Sequence, residues 1–197
     1  MNQKKAMNQK NLLEVDWSKI PAPSDDGAAA HLVGMTIPPL SLMATDDTSV
    51  TLAALPGRIV VFAYPRTGEP GKISLVDDWD MIPGARGCTP QACSFRDLFA
   101  ELKAAGAKHV FGLSTQSNLY QTEMASRLHL PFAVLSDAKL ALTRALNLPT
   151  MEVAGETLIK RLAMVIDNSR ITHVFYPVFP PDRNAGDVLA WLKDNPV

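Results

Sequence analysis

The sequence predicts an α/β fold: a central mixed sheet flanked by helices, with an N-terminal extension. Three observations carry this. Residues 58–64 form an unbroken apolar run, Arg58-Ile59-Val60-Val61-Phe62-Ala63-Tyr64, rich in β-branched and aromatic side chains. Strands buried on both faces of a sheet have that composition. Beyond it, similar runs alternate with stretches whose apolar residues recur at three- and four-residue steps, the stripe of a surface helix. The resulting order, β-α-β-α-β-α-β-β-α, predicts a parallel-centred sheet covered on both faces, and the closing strand pair adds an antiparallel edge.

Residues 1–30 read as a tail or extension, rich in Asn, Gln, Lys, Asp and Ala and broken by Pro21 and Pro23. Leu12, Leu13, Val15, Trp17 and Ile20 are candidates for docking on the domain, which is placed at 31–197. Residues 35–42 contain Pro38-Pro39 and predict an edge strand or extended segment. A turn at 46–49 and a short strand at 50–52 complete a small hairpin. Pro65 ends the 58–64 strand. Residues 66–86 then read as a loop, with Gly68, Pro70, Gly71, Pro83 and Gly84. Strand-to-helix connections usually take about 2–6 residues, so this one is functional or a lid. Trp79 among Asp77, Asp78 and Asp80 reads as a docked aromatic in a solvated loop, with a lid or reductant-docking surface as the alternative.

A helix begins at Thr89 or Pro90, since Pro suits a first turn. Its stripe is Phe95, Leu98, Phe99 and Leu102, and Gly106 ends it. Strands follow at 109–114 and 132–137, with helices at 117–129 and 139–146. Residues 161–166 and 171–175 form a hairpin through Asp167-Asn168-Ser169. The closing helix spans 185–193, with Asn184 as its N-cap.

The chain has 197 residues, 47% hydrophobic and 20% charged, enough for one globular core. A formal net charge of −1 points to neither nucleic acid nor an anionic membrane as partner. No apolar run approaches the ~18 residues of a membrane span. Met1 to Lys10 are polar, which argues against a secretory signal and leads us to expect a cytoplasmic protein. Cys88 and Cys93 are the chain's two cysteines. In a reducing compartment such a pair is more often catalytic or redox-sensing than structural.

Cys88 falls where strand-like sequence gives way to a helix. The start of a helix offers unpaired N–H groups and the positive end of the dipole, a setting that favours a reactive thiolate. The competing reading of Cys88 is a small buried hydrophobe, and of Cys93 a helix core residue. The four histidines are scattered and the cysteines lack paired histidine spacing, so zinc is not expected. Gly68-Glu69-Pro70-Gly71-Lys72 fails the spacing of a phosphate loop, and Ile73 stands where a hydroxyl belongs. No cofactor or metal is expected.

Four motifs, in order, resemble the peroxiredoxins, and most closely their bacterioferritin-comigratory-protein or peroxiredoxin-Q group. Gly87-Cys88-Thr89-Pro90-Gln91-Ala92-Cys93, followed by Phe95-Arg96-Asp97, resembles the signature Gly-Cys-Thr-x-x-Ala-Cys-x-x-Arg-Asp. Val61-Phe62-Ala63-Tyr64-Pro65 resembles the strand before the active site. Leu135-Ser136-Asp137 resembles the Leu-Ser-Asp after the third strand. Arg161 to Asp167 resembles the strand that carries the active-site arginine. The match spans about residues 31–193 and implies a thioredoxin-like fold.

It also implies a thiol peroxidase acting on hydrogen peroxide or organic hydroperoxides. Cys88 would attack and become a sulfenic acid, Cys93 would resolve it as a Cys88–Cys93 disulfide, and Arg161 would supply the fixed cation. Thioredoxin or a similar dithiol would regenerate the pair, in a monomer or homodimer. The alternative is a redox-sensing or thioredoxin-like binding protein with weak peroxidase activity. One departure supports that alternative. The group's Pro and Thr (or Ser), seven and three residues before the nucleophile, are replaced by Met81 and Ala85, with Thr67 a distant substitute. Pro83-Gly84-Ala85 also resembles another peroxiredoxin type, Pro-Gly-Ala-Phe-Thr-Pro-x-Cys, in which Cys93 would be the nucleophile. Arg86 is the cation nearer in sequence.

The five-residue spacing has its own consequence. In an unbroken helix it is a rise of about 7.5 Å with the side chains on different sides. A disulfide needs Cα atoms within about 7 Å. Bridging therefore requires the first turns to unwind.

Overall fold

The computed structural model describes residues 15–72 and 74–197. The strands are β1 (Ser41–Ala44), β2 (Ser49–Thr51), β3 (Arg58–Ala63), β4 (Ala107–Ser114), β5 (Val134–Ser136), β6 (Thr150–Val153), β7 (Glu156–Ile159), β8 (Leu162–Asp167) and β9 (Arg170–Phe175). The helices are α1 (Cys88–Asp97), α2 (Phe99–Ala104), α3 (Asn118–Arg127), α4 (Ala141–Leu146) and α5 (Asn184–Asp194). Seven strands form one sheet in the order β2-β1-β5-β4-β3-β8-β9. β3, β4 and β5 run parallel at its centre, and the other pairings are antiparallel. The expected mixed sheet flanked by helices is what the chain forms.

β3 is buried at every residue, which explains its unbroken apolar run. Its pleat sends Val60 and Phe62 to one face, and Ile59, Val61 and Ala63 to the other. The first face carries α1, α2, α3 and α5, through residues such as Phe95, Leu102, Met124 and Val188. The second carries α4 and the segment around Leu32 and Ile37. Phe95 of α1 stacks on Phe62 of β3, with centroids 4.1 Å apart. Such a pair contributes about 0.5–1.5 kcal/mol beyond its buried area, and it fixes α1 on the sheet.

Two features of the layout away from the cysteines differ from the sequence reading. The helix predicted to run to Gly106 breaks at Leu98 into α1 and α2, although its apolar stripe continues across the break. β6 and β7 form a separate two-stranded hairpin that apolar periodicity did not reveal. Its Val153 and Leu158 pack with Trp79 and Ala85, so the 66–86 segment is anchored to a second small core.

The described part of the N-terminal extension lies against the domain. Asp26 pairs with Lys160 at 2.6 Å and accepts from Tyr176 Oη at 2.7 Å. Trp17 meets Phe179 edge-on at 5.9 Å. Leu12 and Leu13 lie outside the described residues.

Candidate active site

Gly87 makes the site's first turn. It holds φ +106° and delivers the chain into α1 with Cys88 as first helical residue, ahead of the predicted start. Left-handed backbone of this kind suits glycine. Cys88 is 3% exposed. Its Sγ faces the Ala85 carbonyl at 3.6 Å.

Arg161 arrives from the opposite strand. β3 and β8 pair antiparallel with Ala63 opposite Leu162, so the next step places Arg161 opposite Tyr64, where β3 ends. Its side chain is 2% exposed. Nη2 donates to Cys88 Sγ at 3.2 Å and to the carbonyls of Gly84, Ala85 and Arg86 at 3.2, 3.2 and 3.1 Å. Nη1 donates to Gln91 Oε1 at 2.5 Å. A buried guanidinium is costly unless its donors are used, and here one side chain ties the 84–86 turn, the first turn of α1 and the sulfur together. Nε has no partner among the described residues. Arg86 pairs instead with Asp80 at 3.1 Å at the edge of the site.

Sequence reasoning did not single out Gln91, and it placed Asn184 as a helix cap, not as part of the site. Gln91 stands three residues after Cys88, on the same face of α1, and is fully buried. Its Nε2 donates to Asn184 Oδ1 at 2.9 Å, which orients the amide so that Oε1 meets Arg161. Asn184 is therefore the first residue of α5 with a buried, engaged side chain, not the predicted N-cap; Arg183 holds the cap position and its side chain makes no cap hydrogen bond. The signal available in sequence was a polar residue one helical turn from the cysteine.

The thiol opens on a cleft of about 70 Å³, lined among others by Arg66, Thr67, Trp79, Arg86 and Thr89. Trp79 is both a cleft wall and a buried core residue. Thr67 lines the same cleft, but its Oγ1 donates to Gln116 Oε1 at 3.1 Å. Gln116 also accepts from the Thr67 N–H at 2.9 Å, and its backbone carbonyl accepts from Ser136 Oγ at 2.7 Å. The Leu135-Ser136-Asp137 motif thus props the cleft from behind, while Asp137 caps α4 through the Leu142 and Thr143 N–H groups.

Cys93 is a free thiol, 7% exposed and packed in the α1 core. Burial pushes its thiol above the ordinary range, and nearby Arg96 offsets only part of that. Cys88 and Cys93 lie at i and i+5 of one continuous helix, so the structure brings Arg161 to Cys88 and leaves Cys93 on another side. Among the described residues no group of histidine, cysteine and carboxylate side chains could hold a metal, and no helix is long and apolar enough to cross a membrane.

Known proteins share this framework. The Redoxin family matches residues 32–189. Chloroplastic peroxiredoxin Q of Sedum lineare is 30% identical over 162 residues, covering 81% of this chain and 77% of its own length. That of Oryza sativa subsp. japonica shows the same identity over 81% of this chain, which spans 66% of the rice protein. Among solved structures, peroxidoxin BcpB of Mycobacterium tuberculosis superposes with a TM-score of 0.67 at 26% identity, over 84% of this chain and 98% of that one. PrxQ of Xylella fastidiosa, 21% identical, gives a TM-score of 0.66 over 82% and 95%, a likeness of fold. With its Gly-Cys-Thr helix start and the arginine just before β8, the chain belongs to the Redoxin family, as a peroxiredoxin of the bacterioferritin-comigratory-protein and peroxiredoxin-Q type.

Proposed function

We propose that the protein is a thiol peroxidase that reduces hydrogen peroxide or organic hydroperoxides. The carrying observation is the 3.2 Å contact between Arg161 Nη2 and Cys88 Sγ at a helix start that borders an open cleft. The Cys88 thiolate attacks the terminal peroxide oxygen. An S–O bond forms, the O–O bond breaks, and the departing oxygen takes a proton to leave as water or an alcohol. Arg161, whose charge is permanent, faces the charge that moves from sulfur to the leaving oxygen. Cys93 then attacks the sulfenic sulfur, the S–S bond forms and water departs. A dithiol such as thioredoxin exchanges with the disulfide and restores both thiols.

The test is peroxide consumption with a thioredoxin system by wild type and Cys88→Ser. Turnover by wild type and none by the variant is expected. No turnover by wild type rejects the proposal, and turnover surviving in Cys88→Ser moves the nucleophile to Cys93.

A second reading, a redox sensor or thioredoxin-like binding protein with weak peroxidase activity, has one observation in its favour. Position 85 presents a carbonyl to the sulfur where the group has a hydroxyl, and the Thr67 hydroxyl is committed to Gln116. Slow turnover beside fast, stoichiometric Cys88 oxidation would select it.

A further inference from the structure

Trp17 belongs to the N-terminal extension, yet it reaches the start of α1. A Cβ built on Gly87 would stand 2.7 Å from Trp17 Cη2 and 2.6 Å from Pro181 Cγ. The indole therefore lies against the residue that precedes Cys88. Its Nε1 donates to Asp182 Oδ2 at 2.9 Å, and its ring meets Phe179 edge-on at 5.9 Å. Trp17 thus pins the turn at Pro181–Arg183 onto the head of α1. The next residue in the chain is Asn184, which orients Gln91, which holds Arg161 against the sulfur. A continuous set of contacts runs from the extension to the reactive thiol.

Those contacts bear on the step that the cysteine spacing makes necessary. Joining Cys88 to Cys93 requires the first turns of α1 to open. When they open, Gly87 leaves the surface formed by Trp17 and Pro181. The packing of Gly87 against Trp17 and Pro181 exists only while the helix start is closed, so removing it shifts population toward the opened form.

We infer that Trp17 is a positioning residue, a latch from the N-terminal extension that holds the Cys88 turn closed. Its second consequence rests on the peroxidase reading above. The latch slows disulfide formation and so lengthens the life of the Cys88 sulfenic acid. During that time a second peroxide molecule can transfer an oxygen to the sulfenate sulfur, giving the sulfinic acid and water or an alcohol.

The test uses the full-length, reduced protein as wild type, Trp17→Ala and Trp17→Phe. Amide hydrogen exchange over 86–95 should accelerate about five- to tenfold in Trp17→Ala, the effect of losing the indole that packs on Gly87 and backs Pro181. Trp17→Phe, which keeps a ring and loses the indole N–H, should show a smaller rise in the same segment. Unchanged exchange over 86–95 overturns the latch, and so does a rise spread equally over β3 and β8, which marks general loosening. This readout needs no peroxide, so the latch stands or falls apart from the peroxidase reading.

With peroxide, quenched samples report the two consequences. Trp17→Ala should form the disulfide faster by a similar factor and accumulate less sulfinic acid. Its rate of sulfenic acid formation should match wild type, because the closed form still predominates. Equal disulfide and sulfinic yields in wild type and Trp17→Ala overturn the kinetic role.

Discussion

Replacing Arg161 by methionine keeps a long apolar stem and removes the guanidinium that touches Cys88. The lost contact is a 3.2 Å hydrogen bond from a permanently charged donor to the sulfur proposed to attack, at a side chain 2% exposed, where solvent screening is weak. A hydrogen bond to a charged group contributes about 1.5–3 kcal/mol, and each ~1.4 kcal/mol is tenfold in rate. The second-order rate of Cys88 with hydrogen peroxide should therefore fall about ten- to a hundredfold. The same substitution strips the donor from the Ala85 carbonyl and from Gln91 Oε1, both on buried residues. At about 1–3 kcal/mol for each stranded acceptor, folding stability should drop as well, so a denaturant midpoint must accompany the rate. Stopped-flow measurement of thiol loss under single-turnover conditions separates attack from recycling. Arg161→Lys keeps the charge, but one ammonium cannot bridge the sulfur and Gln91 together, so it should recover only part of the rate. A folded Arg161→Met protein that reacts within about threefold of wild type refutes the role given to this contact.

Further outcomes follow from the same geometry. Cys93→Ser should complete one round of attack and stop, leaving a sulfenic or sulfinic Cys88 that mass spectrometry identifies; sustained thioredoxin-dependent turnover would contradict the resolving role. Because burial raises the Cys93 thiol, less of it is thiolate at neutral pH, and disulfide formation should accelerate as pH rises between about 6 and 9. A flat pH profile in quenched-flow samples refutes this. Ala85→Thr installs the hydroxyl of the group's pattern in a fully buried position packed with Trp79, Val153 and Leu158. Overpacking should cost about 1–3 kcal/mol in stability without raising the peroxide rate, as measured by urea titration and stopped flow. Gly87→Ala places a methyl 2.6 Å from Pro181 at a φ of +106°, and should lower stability by about 2 kcal/mol or more.

What was legible in the sequence divides along physical lines. β3 announced itself because both its faces are buried, which leaves no polar position to blur the run. Arg161 was found through a strand motif, and the antiparallel register of β3 and β8 explains why that motif carries it to the end of β3. The β6–β7 hairpin was missed because it packs with a loop residue, Trp79, rather than with the main sheet, so its burial is irregular. The break at Leu98 left no mark because an apolar stripe can continue across a kink. Asn184 looked like a cap, since Asn before a helical pattern is a common signal. Its side chain is instead taken by Gln91, a partner 93 positions away that no local pattern encodes.

The two cysteines are asymmetric for a reason that the site makes explicit. Gln91 lies between them in sequence, and it ties Arg161 to the first turn of α1. Unwinding that turn, which the disulfide requires, carries Gln91 away from Arg161 and Cys88 away from the guanidinium. In the proposed mechanism the arrangement suited to attack is therefore incompatible with the arrangement suited to resolution, and each cycle would pass between them. Contacts that favour the closed turn, from Phe95 on Phe62 to Trp17 beside Gly87, act against the second step to the extent that they stabilise the site for the first. A double-mutant cycle on Trp17→Phe and Gln91→Ala separates these effects. If both residues act through the same closed turn, their effects on exchange over 86–95 will fall short of additive. Full additivity would mean that the extension and the arginine network hold α1 independently, and the chain of contacts from Asp182 through Asn184 would then carry no coupling.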